Sequence, residues 1–272
     1  MHRFATEHAR LKVRNPAGDV TITTVDAAET TVELVPLNDS EATRSAIEKA
    51  SVAAHGDDVV VELEGGRNWS ISIGNWGFGS AKVSVRISCP HGSDLECDTA
   101  SADVEADGTL GAVRLRTASG DATLQRVAGP LEAKSASGDI RVERVEGSCT
   151  LNTVSGDVRL GTGLKEVSVN AVSGDVDLGE VGGDLVVSSV SGDQRVRAAG
   201  PGEVALKAVS GDVLVAIRRG LRVRLDVNSV SGSIGSELEV SDTPTGTAPE
   251  ANLRVRTVSG DVKISRAVET AA

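Results

Sequence analysis

Apolar side chains recur at every second position along most of this chain, in short runs broken by small and polar residues. In LEAKSASGDIRVERVEGS (131–148), Leu131, Ala133 and Ser135 alternate with polar neighbours, and Ile140 and Val142 resume the alternation after a Ser-Gly-Asp step. A period of two predicts strands buried on one face. The same columns return in register as Val113/Leu131/Cys149/Val167/Leu185, Ala122/Ile140/Val158/Val176 and Leu124/Val142/Leu160/Leu178/Val196. Like residues therefore stack on like. If copies lie in parallel about 4.8 Å apart, each column becomes a ladder lining an apolar lumen.

The turn triplet sets the period. Ser119-Gly120-Asp121, Ser137-Gly138-Asp139, Ser155-Gly156-Asp157, Ser173-Gly174-Asp175 and Ser191-Gly192-Asp193 follow one another at 18 residues, which marks an internal repeat. The series runs back to Ser101-Ala102-Asp103. It runs forward to Ser210-Gly211-Asp212, Ser231-Gly232-Ser233 and Ser259-Gly260-Asp261, at spacings of 19, 21 and 28. Ala17-Gly18-Asp19 reads as a distant first copy, and SELEVSDTPTGTAPEAN as a loop leaving the last full turn. A meander of hairpins has the same periodicity. Two-residue hairpins, however, need positive φ at their first central residue, where Ser is poor, whereas a single Gly suits a corner between sheets. Gln194 interrupts the column after the turn and is expected to find hydrogen bonds inside.

The first hundred residues differ. KVRNPAGDVTITTV, TTVELVPL, DDVVVELEG and SAKVSVRISCP alternate as strands. DSEATRSAIEKASVA reads as a short helix, with Asp39 or Ser40 as its cap and Ala46, Ile47 and Ala50 inward. The expected fold is all-β: a single-chain β-solenoid of about 18 residues per turn. Residues 1–95 form an N-terminal β-rich cap, continuous with solenoid repeats over 96–268 as one cooperative domain.

Composition sharpens this picture. The chain is 39% hydrophobic but 1% aromatic, with no Tyr and 30 Gly, which favours branched aliphatics on pleated surfaces over a helical bundle. The net charge is −11, the wrong sign for nucleic acid. No apolar run reaches the length of a signal peptide or a membrane span, so the expected location is cytoplasmic, or the surface if another export route operates. Cys89, Cys97 and Cys149 lack close-pair metal spacing and read as reduced, buried thiols.

Three sets of residues invite chemistry. Asp121, Asp139, Asp157, Asp175, Asp193 and Asp212 form a carboxylate column. Calcium-binding β-rolls place such turns every nine residues, and here one falls every eighteen, so turn-forming Asp bonded to local N–H groups is expected, with no metal. Glu132, Glu143, Asp177 and Glu180 point outward with Arg141, Arg159 and Arg195, as a carbohydrate-active β-helix would require, but they alternate with polar residues without a singular cluster. His2, His8, His55 and His91 form no triad or metal motif. No catalytic residue and no cofactor is expected. The aromatic segment NWSISIGNWGFGS (68–80) concentrates Trp69, Trp76 and Phe78, with Phe4 the one other aromatic in the chain. Two readings stand for it: a plug over the open lumen, and a set of anchors for a partner protein or sugar.

The TASGD and TVSGDV turns, preceded by ISCPHGSDLECDTASADV (87–104) and spread from NPAGDVTI to RTVSGDVKISRA, resemble a bacterial domain-of-unknown-function family that carries the label "putative adhesin" and has β-strand repeats. The resemblance implies a right-handed β-helix-like solenoid with no established enzymatic activity or cofactor. Three functions are weighed. The leading one is a non-catalytic structural or interaction module that binds a protein partner or another copy. The others are a surface adhesin binding glycans and a carbohydrate-active β-helix enzyme. A bare rung near Ser259-Gly260-Asp261 is the expected place for end-to-end self-association, and the expected functional segments are 68–80 and 236–252, where the repeat breaks.

Overall fold

The structure, a computed structural model, describes residues 1–63, 81–238 and 249–268. The chain divides into two compact units, Met1–Gly138 and Asp139–Ala272. Unit 1 holds β1 (His2–Ala5), β2 (Arg10–Asn15), β3 (Gly18–Val25), β4 (Glu29–Pro36), α1 (Glu41–Glu48), β5 (Ser51–His55), β6 (Asp58–Glu62), β7 (Val83–Pro90), β8 (Asp94–Thr99), β9 (Asp103–Leu110), β10 (Val113–Thr117), β11 (Ala122–Val127) and β12 (Leu131–Ser135). Its strands form two sheets, ordered β1-β4-β7-β3-β9-β11 and β5-β6-β2-β8-β10-β12.

Unit 2 holds β13 (Ile140–Val145), β14 (Ser148–Ser155), β15 (Val158–Thr162), β16 (Glu166–Ser173), β17 (Val176–Val181), β18 (Leu185–Ser191), β19 (Gln194–Ala199), β20 (Gly202–Ser210), β21 (Val213–Ile217), β22 (Arg222–Ser231), β23 (Ile234–Ser236), β24 (Glu250–Ser259) and β25 (Val262–Arg266). Its sheets run β13-β15-β17-β19-β21-β25-β23 and β14-β16-β18-β20-β24-β22.

Within each unit the repeat strands pair in parallel at the offset of the sequence repeat. Val113 lies beside Leu131, Cys149 beside Val167 and then Leu185, and Val142 beside Leu160, Leu178 and Val196. Each unit is thus a β-solenoid and not a meander of hairpins. One strand of each rung enters one sheet, a corner turns the chain, and the next strand enters the other. The ladder residues Leu115, Leu124, Leu151, Val169, Leu178, Leu206 and Ile264 are fully buried. Each such burial contributes about 1.5–3 kcal/mol, so the lumen is the core of the fold. Gln194 is buried in the lumen and donates to Ser189 Oγ and Lys207 O.

Rung order departs from sequence order. In unit 1, β2 and β3 pair with β8 and β9 on one side and with β6 and β7 on the other, all in parallel. Much of the segment expected as a cap is therefore itself built as rungs, and Ala17-Gly18-Asp19 is a true corner of the coil. Beyond these rungs, β5 pairs antiparallel with β6, and β4 antiparallel with β7 and β1. In unit 2, β24 and β25 insert between β20/β21 and β22/β23. The outermost rung is consequently the one bearing Ser231-Gly232-Ser233. The rung at Ser259-Gly260-Asp261 is an inner one, because the long spacing carries the chain back beneath a rung already laid down.

Helix α1 begins at Ser40, whose hydroxyl accepts from Thr43 N–H. Its buried residue is Thr43 rather than Ala46 or Ile47, which are half-buried. The Thr43 hydroxyl donates to Asn38 Oδ1 and accepts from Lys82 N–H, so polar bonding rather than an apolar stripe fixes the helix.

The corner glycines have a specific cause. A Cβ on Gly138 would collide with the carbonyl oxygen of Gly120, and one on Gly192 with that of Gly174. Gly174, Gly192 and Gly211 also hold φ of 121°, 116° and 127°, where a side chain is strained. We expect Gly192→Ala to destabilise the chain by about 2–4 kcal/mol, combining strain and collision. Gly56→Ala, at φ 62° in open space, should cost about 1 kcal/mol, the backbone term alone. Urea unfolding followed by far-ultraviolet circular dichroism measures both.

Candidate functional site

The Ser-Gly-Asp corners stack through a hydrogen-bond relay. Asp157 N–H donates to Asp139 Oδ1 at 2.9 Å, Asp175 N–H to Asp157 Oδ1 at 3.0 Å, and Asp193 N–H to Asp175 Oδ1 at 2.9 Å. Asp212 N–H continues to Asp193 Oδ1, Asp261 N–H to Asp212 Oδ1, and Ser233 N–H to Asp261 Oδ1 at 2.7 Å. In unit 1 Asp121 N–H donates to Asp103 Oδ1 in the same way. The expected bonds were local, within one turn. The carboxylates instead reach the neighbouring rung, because 18 residues of coil bring the next corner's N–H closer than any free amide of the same corner. Gly120 and Gly138 are further tied by two-way bonds to the Thr117 and Ser135 hydroxyls.

The relay leaves the second carboxylate oxygens for cations: Arg141 reaches Asp139 Oδ2 at 2.6 Å and Arg159 reaches Asp157 Oδ2 at 2.8 Å. Outward acids elsewhere are similarly occupied. Glu132 is held by Lys134 and Arg114, whose hydrogen bonds lower its pKa. Asp177 binds Arg197, raising the pKa of that guanidinium, and Glu180 binds Arg218 at 2.9 Å. Glu143 and Arg195 are exposed. Among the described residues no cluster of three or more His, Cys, Asp or Glu is placed to hold a metal ion. His8 lies 3.5 Å from Asp94, and His91 Nδ1 lies 2.7 Å from Thr24 Oγ1, so the histidines are dispersed. Trp69, Trp76 and Phe78 lie outside the described residues, as does most of the 236–252 segment.

The structure brings together one surface feature that the residue-type search missed. The residue before each Ser-Gly in unit 2 is an exposed valine: Val154, Val172, Val190, Val209, Val258 and Val230, in rung order. Exposure ranges from 46% at Val172 to 77% at Val230. The flanking pairs Thr153↔Ala171 and Ser155↔Ser173 fix Val154 beside Val172, and Ser189↔Ala208 and Ser191↔Ser210 do the same for Val190 and Val209. Six rungs make an apolar ladder about 24 Å long at the strand spacing of a sheet. In unit 1 the same column holds Ala100, Ala118 and Ala136. The signal was available in the repeated VSGD, but alternation alone reads such a residue as one more strand position.

Paired charges, corners locked by stacked glycines and an apolar ladder beside them define a β-solenoid scaffold with a surface stripe. The chain belongs to the Toastrack DUF4097 family, whose model matches residues 8–265. No curated protein matches it. Among solved structures it is similar to a "putative cell adhesion protein" from Clostridium sporogenes, 11% identical over 96% of this chain and 94% of that one, with a TM-score of 0.20. It is also similar to a "putative adhesin" from Bacteroides fragilis, 13% identical over 97% and 95% of the two chains, with a TM-score of 0.31. No described helix is long and apolar enough to cross a membrane.

Two outcomes follow from these groups. Burial pushes the Cys97 and Cys149 thiols up to about 12 and Cys89 to about 11, leaving almost no thiolate at neutral pH. A thiol reagent at pH 8 should label none of the three in the native protein and all three in denaturant. Asp261 accepts from both the N–H and the hydroxyl of Ser233, which lowers its pKa from the ordinary 3.8. Its contribution to stability is therefore complete above the ordinary value and lost as pH falls through the lowered one. Ser233→Ala should move the Asp261 titration upward, as read by carboxyl NMR, while the N–H bond keeps it short of the ordinary value.

Proposed function

We propose that this chain is a non-catalytic interaction module that presents the unit 2 valine ladder to a protein partner. The exposed ladder carries the reading. Six β-branched side chains in successive rungs form a continuous apolar stripe, and such patches mark contact surfaces on otherwise polar proteins. Its rigidity suits binding, since every valine stands on a hydrogen-bonded sheet and little is lost in ordering it. A partner strand or helix with small apolar residues would match the stripe, while the flanking serines and the Asp corners supply a polar rim.

A catalytic reading draws little support from the same surface. Of the outward carboxylates a hydrolase would use, Glu132, Asp177 and Glu180 are held by Arg and Lys, and the thiols are buried. Glycan binding would rest on the Trp69, Trp76 and Phe78 segment, and the ladder, being aliphatic, offers no aromatic platform for a sugar ring.

A photo-crosslinking residue in place of Val190 tests the proposal in native cells. We expect one discrete protein adduct, its yield reduced at least tenfold when Val172 and Val209 are changed to Ser. The same probe in place of Arg195, exposed on the other sheet, should give no such adduct. Those exposed substitutions should change stability by no more than about 0.5 kcal/mol each. Absence of an adduct from position 190, or equal adducts from 190 and 195, would overturn the reading.

A further inference from the structure

The outer strand of unit 2, β22, is an edge with an unusual composition. Among the described residues it pairs with β24 alone. Val223, Leu225, Val227 and Ser229 lie beside Ala251, Leu253, Val255 and Thr257, all buried, so they occupy the lumen columns. Yet Leu225 is 37% exposed, and Ile234 on the adjoining β23 is 50% exposed. The apolar lumen thus opens at this rung. Among the described residues the outer backbone is unpaired as well. Arg222 N–H donates to Pro249 O, which turns the backbone groups of Arg222, Arg224, Asp226 and Asn228 toward β24. By the alternation of a parallel ladder, Val223, Leu225, Val227 and Ser229 aim their N–H and C=O groups at the free edge.

We infer that β22 joins two copies of this chain in a two-fold dimer, pairing antiparallel with itself about Leu225. This surface is distinct from the valine ladder, and the inference does not depend on the partner proposed for that ladder. The sequence Arg222-Val223-Arg224-Leu225-Asp226-Val227-Asn228 is self-complementary in that register. Leu225 faces Leu225 of the second copy, and Val223 faces its Val227. Among the described residues their outer backbone groups have no partner, so each pair closes two hydrogen bonds and extends the lumen by one apolar layer. Arg224, exposed and without an acceptor among the described residues, faces Asp226 of the second copy on the outer side. Asp226, already 3.3 Å from Arg254 and 3.9 Å from Arg256, would then hold a third guanidinium group.

Other registers fail on charge. Centring on Arg224 or Asp226 sets like charges on the axis, centring on Val223 sets Arg222 against Arg224, and centring on Val227 leaves Arg224 opposite Val230. Parallel stacking of a further rung fails on the corner relay. Each added rung needs a carboxylate beneath it to receive its N–H, and Ser233, at the outermost corner, has none. A two-fold pair closes, whereas head-to-tail stacking would continue without limit.

The test uses the full chain. Sedimentation velocity should show a concentration-dependent dimer, and R224E should weaken it at least tenfold, because an acid then faces Asp226 twice. Leu225→Cys should form a disulfide-linked dimer under mild oxidation, since a hydrogen-bonded antiparallel pair sets the two Cα atoms about 5.5 Å apart, within disulfide range. The native thiols are buried and give no background. Val230→Cys, at the most exposed large apolar residue of the strand, should crosslink at least tenfold more slowly. A strict monomer at high concentration, equal crosslinking at 225 and 230, or a dimer insensitive to R224E with its fold intact by circular dichroism would each overturn the inference. None of these outcomes touches the crosslinking test of the valine ladder, so the two readings fail separately.

Discussion

Everything in this protein depends on how closely one corner can approach the next. Parallel strands in a sheet stand about 4.8 Å apart, and a coil holds that spacing only if its corners stack as tightly as its strands. Glycine at corners such as Gly138, Gly174, Gly192 and Gly211 provides the clearance, because a Cβ there would meet the carbonyl oxygen of the corner below. The Asp of each corner then receives the N–H of the corner above. Glycine removes the obstacle and aspartate satisfies the exposed amide, so the triplet is a stacking device that functions only between rungs. That use occupies one carboxylate oxygen, and Arg141 and Arg159 occupy the other at two corners. The column that most resembles a calcium stripe in sequence is therefore committed to backbone.

The one triplet without its acid tests this logic. Ser233 sits on the outermost described corner of unit 2, where no further rung among the described residues requires a carboxylate. Its position in sequence, ahead of the Asp261 corner, gives no hint of this; its position in space explains it. The same rearrangement places the last strands of the repeat, β24 and β25, between two others, so both sides of their backbone are paired. Unit 1 treats its early strands alike, with β2 and β3 held between β6/β7 and β8/β9. Embedding these strands between rungs pairs both sides of their backbone and leaves β22 and β23 at the edge of unit 2.

The repeat was legible because its signal is arithmetic: equal spacing, equal columns and a turn residue whose chemistry admits few conformations. Rung order was not legible, since spacings of 21 and 28 look the same whether a rung is lengthened or interleaved. The reason for glycine was legible only in part. Positive φ holds at Gly174, Gly192 and Gly211, but Gly120 and Gly138 are needed for clearance alone, a constraint that comes from the neighbouring rung and not from the local sequence. Thr43 went unrecognised as the inward helix residue because apolar periodicity weighs methyl groups and overlooks a hydroxyl placed among Asn38, Ser40 and Lys82.

The surface stripe follows from the same geometry. A repeat whose corners are fixed to a fraction of an ångström presents whatever residue precedes each corner as a straight, evenly spaced row. Alanine there, as in unit 1, yields a row too shallow to bury much of a partner; valine there, as in unit 2, adds two methylene-sized groups per rung at one height. At about 0.8 kcal/mol for each group removed from water, six rungs offer a gain of several kcal/mol to any partner that covers them, even after losses to ordering. Stability of the coil does not require that gain, because the lumen ladders lie on the opposite face and alanine serves in the same column of unit 1. The valines are thus a property of the surface rather than of the fold, and the proposed interaction would give six consecutive exposed rungs a use.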